Sequence, residues 1–200
     1  MERKRRWLFL WLSILCLAAL AAGCANQKAE VPPPASTPVM LGEWKADGVI
    51  DEKEYGKPQM IGDVEVFSRV KGDTVLMALR AKTKGYLAIG IGAAEKMDGA
   101  DILMFSFKDG KILVEEKYST SLVGLPKPKQ GEPTVSQLKG NYTDGVMTVE
   151  FARKLDPGGA QNKALVLGDN KLIWAIGESN VTTQKHTQRG AGVLKLQAIE

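Results

Sequence analysis

Histidine is nearly missing from this chain: His186 is the only one. Cysteine is almost as scarce, with Cys16 and Cys24 alone, both close to the N-terminus. Aromatic residues make up 6% of the sequence, and no long stretch repeats with a helical period, so helix content is expected to be low. Each shortage excludes something. Beyond Cys24 there is no thiol for a disulfide, an iron–sulfur cluster or a thiolate-held zinc. Without a Cys-x-x-Cys-His motif, covalently attached c-type haem is excluded. One imidazole and no free thiol leave no nucleophile–base pair, so an enzyme is not expected. The formal charge of +4 falls to about +1 once Glu2, Arg3, Lys4, Arg5 and Arg6 are set aside. No basic stripe interleaved with aromatics remains, and nucleic acid is not an expected partner.

Those first residues form a recognisable leader. The basic start is followed by an apolar run from Trp7 to Leu20, too short for a comfortable membrane span. Ala21-Ala22-Gly23 then sets small residues before Cys24. Residues 1–23 are expected to be a bacterial lipoprotein signal peptide, with lipidation of Cys24. The leucine usual in such signals stands one place upstream, at Leu20, so an uncleaved N-terminal anchor is the alternative. Either way the domain is expected to be exported and membrane-tethered, facing the periplasm or the cell surface. Two or more acyl chains on Cys24 would anchor it stably, where one is marginal. Residues 24–43 read as a tether, because Pro32-Pro33-Pro34 and Pro38 favour an extended polyproline conformation.

From residue 44 to 200 a single domain is expected, and its strand signals are regular. Val64–Val70, Thr74–Arg80, Tyr86–Ile91, Ile102–Phe107, Lys111–Tyr118, Val146–Phe151, Leu172–Ile176 and Val193–Ala198 are the expected strands. Asp109-Gly110 and Asp144-Gly145 are hairpin signals, since both residues tolerate positive φ. Many short strands with turns between them predict an all-β sandwich or barrel. Residues 119–134 read as a proline-bearing surface loop. Met97 falls in the loop 93–99 and His186 in the loop 178–191, the kind of place where a sandwich carries binding residues.

Imidazole nitrogen and thioether sulfur together form an axial pair for haem iron; Met/His ligation holds the iron low-spin and raises its potential. The alternatives are a surface histidine and a core-filling methionine. Met104 is the fallback thioether. Gly99 and Ala100 leave room for a flat macrocycle, while Asp98 and Asp101 are expected to cap the turn through their side chains. Arg189 would bond either a haem propionate or a surface acid. Tyr86 and Trp174 line such a pocket or belong to the core, the commoner place for them.

Five blocks carry a family resemblance. They are Gly85–Gly92, Met97-Asp98-Gly99-Ala100-Asp101-Ile102, Val149–Leu155, Ile173–Gly177 and His186-Thr187-Gln188-Arg189-Gly190. Over roughly residues 44 to 198 the chain resembles the DOMON family, whose fold is an immunoglobulin-like antiparallel β-sandwich that binds haem b or sugars. Its cytochrome members place a methionine before Gly-Ala-Asp and a histidine before Arg-Gly as axial ligands. The resemblance implies Met97 and His186 here, around a non-covalent haem b, in a protein that carries single electrons to or from a redox partner. The opening segment Asp47–Tyr55 is similar to that of carbohydrate-binding sandwiches; its acids would bind calcium or simply line a solvated edge. The alternative function is a haem-free carbohydrate or small-ligand module, for which Trp44 and Trp174 are a poor supply of platforms.

Overall fold

The computed structural model describes residues 41–93 and 96–198. The expected leader, Cys24 and the tether up to residue 40 lie outside the described residues. One helical turn, α1 (Glu52–Tyr55), precedes eleven strands: β1 (Gln59–Ile61), β2 (Val64–Lys71), β3 (Thr74–Lys82), β4 (Leu87–Ile91), β5 (Asp101–Lys108), β6 (Lys111–Tyr118), β7 (Lys127–Pro128), β8 (Val135–Thr143), β9 (Val146–Lys154), β10 (Gly168–Ile176) and β11 (Gln188–Leu196). They form two antiparallel sheets, ordered β1-β2-β3-β9-β8 and β11-β10-β4-β5-β6-β7. The antiparallel sandwich expected from the sequence is the architecture observed.

The strands that the sequence did not announce are short or polar. β1 and β7 span three and two residues. β8 is an edge strand of Ser, Gln, Lys, Gly and Asn, half-exposed along its length and broken by a register shift between Ser136 and Lys139. Val135, Leu138 and Tyr142 pack against the core, but the register shift breaks their spacing, so the strand's alternation is weak. The Asp-Gly hairpins behave as expected: Asp109 and Gly110 sit at φ 52 and 76, Asp144 and Gly145 at φ 53 and 77.

Alternation sorts each strand between two faces. Leu87, Ile89, Ile91, Leu103, Phe105, Leu172, Trp174 and Ile176 of the second sheet point inward and meet Val75, Met77, Leu79, Met147, Val149 and Phe151 of the first. Phe105 and Phe151 touch across the sandwich, ring centroids 5.2 Å apart. The outer face of the first sheet is covered by the opening segment, where Tyr55, Trp44 and Ile50 pack on Phe67, Leu76, Ala78 and Ala152. Glu150, fully buried there, accepts hydrogen bonds from the amides of Asp47 (3.0 Å) and Gly48 (2.6 Å) and from the Tyr55 hydroxyl (2.9 Å). Asp47 and Asp51 spend their own carboxylates on the amides of Val49 and Lys53, so these acids fasten the segment. Among the described residues no group of three or more His, Cys, Asp or Glu side chains could hold a metal ion.

One charged cluster lies inside. Asp101 begins β5 facing inward, and Arg153, next to last in β9, also faces inward; both are fully buried. Arg153 Nη2 donates to Asp101 Oδ2 at 2.6 Å, the Lys163 amide donates to the same oxygen at 2.9 Å, and Lys129 Nζ lies 2.5 Å from Oδ1. Lys129 also reaches Glu116 (3.3 Å), which accepts from the Thr134 and Val135 amides at 2.7 and 2.9 Å. Asp101 is therefore structural, as its turn position suggested, but it bridges the sheets instead of capping the turn. Burial alone would raise the pKa of Glu116; the bonds from Thr134 and Val135 and the Lys129 charge outweigh it and lower the pKa from its ordinary 4.5.

Removing one partner of a buried ion pair strands the other charge, so Asp101→Asn should lower stability by about 3–5 kcal/mol in urea unfolding; a loss under about 1 kcal/mol would show that the pair is dispensable. Because the folded-state pKa of Glu116 is depressed, its contribution is complete above the ordinary value of 4.5 and disappears as pH falls through the folded value. Acid melts should show stability falling below about pH 4.5, with a shallower fall in Glu116→Gln; equal slopes would contradict it.

Candidate functional site

Outward alternation on the second sheet produces a floor of small and aliphatic side chains. Across strands the register reads Arg189–Ala175–Ala88–Met104 and, one row along, Ile173–Gly90–Ile102. Gly90 is needed there, because a Cβ would stand 2.6 Å from Ile173 Cγ1 and 3.4 Å from Ala100 Cβ. The result is a flat apolar surface on the side of the sheet away from the core. Three loops wall it: Lys96 and Met97 before β5, Leu122–Pro126 between β6 and β7, and Thr182–His186 between β10 and β11. Together they enclose a cavity of about 590 Å³, within the usual range for small-molecule sites.

Met97 and His186 both border this cavity, from separate loops. Met97 packs half-buried against Tyr86, Ala88, Ala93, Ala100, Ile102 and Met104. Its loop is closed by the Ala100 amide bonding the Met97 carbonyl at 2.9 Å, and is tied to the residue just past β6 by Gly99 N to Ser119 O, 2.9 Å. Gly99 takes φ +73, a left-handed conformation that suits glycine, and serves the turn; it does not border the cavity. Met104, the fallback thioether, sits on the floor.

His186 is half-buried. Burial first, then the charges of Arg189 and Lys185, hold its imidazole below the ordinary pKa of 6.5, so a nitrogen lone pair is available at neutral pH. β11 starts at Gln188, paired with Ile176, so the loop closes earlier than the sequence indicated and Arg189 lies on a strand. Arg189 shares the face of Ala175 and joins Lys96 and Lys185 on the cavity lining. No Asp or Glu borders the cavity among the described residues, and none of these three cations is in an ion pair there.

Tyr86 and Trp174 divide between the two places considered for them. Tyr86 is buried under the cavity; its ring packs on Gly177, where a Cβ would lie 2.4 Å away, and its hydroxyl donates to the Gln184 carbonyl at 3.1 Å. It thus supports the His186 loop from below. Trp174 borders the cavity, but its indole belongs to the inter-sheet core and lies over Gly62 and Gly190, its N–H buried without a partner among the described residues. The sequence reading missed Lys96, Lys185 and the apolar wall Leu122-Val123-Gly124-Leu125-Pro126. The signal for the wall was present: aliphatic side chains in a proline-bearing loop with no strand to bury them. A larger depression of about 990 Å³ on the first sheet, lined by Trp44, Arg69, Lys71, Gln137 and Lys154 among others, is polar and open.

The donor set and the walls fit haem. A soft sulfur and a neutral imidazole flank a flat apolar surface, and three cations without a competing acid suit a ligand that carries carboxylates. The protein is thus defined as an antiparallel β-sandwich with an apolar, cation-edged cavity on the outer face of one sheet. A family model described as DOMON domain matches residues 60–177, and the chain belongs to that family. The matched span includes Met97 and Trp174 and stops before His186. Among solved structures, the cytochrome b domain of pyranose dehydrogenase from Coprinopsis cinerea aligns at 11% identity and TM-score 0.50, over 66% of this chain and 74% of that one. The cytochrome domain of Myriococcum thermophilum cellobiose dehydrogenase aligns at 14% identity and TM-score 0.55, over 74% and 80%. At these identities the likeness is one of fold. No curated protein matches the chain.

Tyr86→Phe deletes the bond to Gln184 and should cost about 1 kcal/mol of stability. Hydrogen exchange should speed up at residues 184–187 in that variant; unchanged exchange there would mean Tyr86 only fills space.

Proposed function

We propose that the chain is an exported, membrane-anchored b-type cytochrome carrying single electrons, with haem held non-covalently between Met97 and His186. The observation that carries this reading is the convergence of these two loop residues on one apolar cavity free of acids among the described residues. The fold likeness to two cytochrome domains supports it. Haem would supply a one-electron couple. The protein's part is to bind and orient. Met97 offers sulfur from a loop tied to the residue just past β6, and His186 offers nitrogen from a loop supported by Tyr86. The small floor at Ala88, Gly90 and Ala175 admits a planar ligand, and Arg189, Lys96 and Lys185 offer counter-charge to carboxylates. The apolar walls exclude water, which stabilises the less charged state of a redox centre. If Met97 and His186 both held the iron, a substrate would find no free place on it, which would suit transfer over catalysis.

Export and anchoring rest on the N-terminal pattern ending at Cys24. Such a protein would exchange electrons with a membrane or periplasmic redox protein through a small transient contact. The second reading, a haem-free carbohydrate module, would use the polar depression on the first sheet. Its one aromatic there, Trp44, donates its indole N–H to Tyr55.

The test is an absorption spectrum of protein taken from the membrane fraction of a haem-sufficient host, oxidised and then dithionite-reduced. Sharp low-spin b-type bands are expected in the wild type and in Met104→Ala. Met97→Ala and His186→Ala should each lose them and bind hemin more than about tenfold more weakly, since even a supporting contact costs that much in metal affinity. A colourless protein that ignores added hemin would overturn the proposal and direct the search to sugars.

A further inference from the structure

Lys117 is an unusual lysine. It lies one residue before the end of β6, opposite Ile102 and in the row that continues to Gly90 and Ile173, so its side chain starts from the cavity face of the sheet. It is only 4% exposed, and lysine is almost never so buried without a partner. Its ammonium lies 2.9 Å from Glu115 Oε2 and donates to Thr182 Oγ1 at 3.2 Å and to the Thr182 carbonyl at 3.5 Å. The Thr182 hydroxyl in turn donates to Glu115 Oε1 at 2.6 Å. The three groups close a triangle between β6 and the loop that carries His186.

The rest of that loop shows what the triangle adds. Its start is held by Ser179 O, which accepts from the Tyr86 amide at 3.1 Å, and by Asn180 Nδ2, which donates to Phe107 O at 2.8 Å. Its end is held by the Thr187 amide bonding Ile176 O at 2.9 Å. Between these points Thr183 and Lys185 are exposed. The described contacts of that stretch with the sheet are the Tyr86 bond to Gln184 and the Lys117–Glu115 grip on Thr182. A methionine would fill the same space without the desolvation cost of an ammonium, so the buried charge needs a reason beyond packing. The reason is reach: a rigid strand and a long loop are bonded through one point that neither backbone supplies.

We propose that Lys117 is a positioning residue for His186: with Glu115 and Thr182 it latches the histidine loop over the cavity floor and so sets how well the imidazole meets a bound metal centre. The inference rests on the Met97–His186 reading for its ligand, but the latch itself is a property of the protein alone. It accounts for a buried lysine that neither the core nor the cavity lining uses.

Lys117→Met keeps the length of the side chain and removes its donors. In the full chain, hemin affinity should fall about tenfold and part of the low-spin spectrum should turn high-spin, the scale seen when a contact behind a metal ligand is lost. Lys117→Arg should recover part of the low-spin signal. In the haem-free proteins, amides 182–187 should exchange faster in Lys117→Met than in the wild type. If Lys117→Met does not fold, Thr182→Val removes the loop side of the same bonds and should give the same changes. Wild-type spin state and hemin affinity in the variants, or unaltered exchange in the loop, would overturn the latch. A wild type that ignores hemin while the variant loop loosens would instead sink the cytochrome reading and leave the latch standing.

Discussion

Asp101 is the point on which the two sheets and the site depend together. Its carboxylate is fully buried, and so is the Arg153 guanidinium 2.6 Å away on the opposite sheet. Such a pair adds little net stability over an apolar core, but its geometry is demanding, since each stranded charge would be costly. The Lys163 amide and the Lys129 ammonium must therefore also be in place, which brings the connections after β7 and β9 to the same end of the sandwich. β5 begins at Asp101, one residue beyond Ala100, whose amide closes the Met97 turn. The position of the Met97 loop is thus inherited from an ion pair that faces away from it.

The second consequence of alternation is a sheet with two working faces. In β4, β5 and β10 the odd-numbered or even-numbered set that faces the first sheet is large: Leu87, Ile89, Phe105, Leu172 and Trp174. The other set mixes small residues, Ala88, Gly90 and Ala175, with the aliphatic Ile102, Met104 and Ile173. Both sets are apolar, so these strands read as continuous hydrophobic runs, the signature of burial on both faces. One face is covered by the other sheet. The second is covered by loops, and the space left beneath them is the cavity.

The Met97 and His186 loops are fastened by different means. Backbone bonds to Ser119 and the adjoining Asp101 cluster hold the Met97 side. Side chains reaching out of the sheet, Tyr86 and the Lys117–Glu115 pair, hold the His186 side. A backbone ladder continues the register of the sheet, whereas a side-chain strut spans a gap that the ladder cannot cross. The longer loop is the one with struts.

Much of this was legible in the sequence. The period-two runs located most of the strands, the Asp-Gly pairs located two of the hairpins, and the scarcity of histidine singled out His186. These signals are local, because alternation and turn chemistry are written in neighbouring residues. Polar β8 escaped, since its register shift breaks the alternation, and Asp101 was read as a turn cap because its partner Arg153 is remote in sequence. For the same reason nothing local in Glu115-Glu116-Lys117 marks Lys117 as buried. Local pattern was enough to read an all-β chain with one histidine and a loop methionine to offer. It took the tertiary structure to show that the two border one cavity, that Trp174 turns inward while Arg189 turns outward, and that a buried ion pair, Asp101–Arg153, and a half-exposed one, Lys117–Glu115, hold the loops in place. Pairing between distant residues depends on which faces the sheets turn toward each other, and no local pattern carries that information.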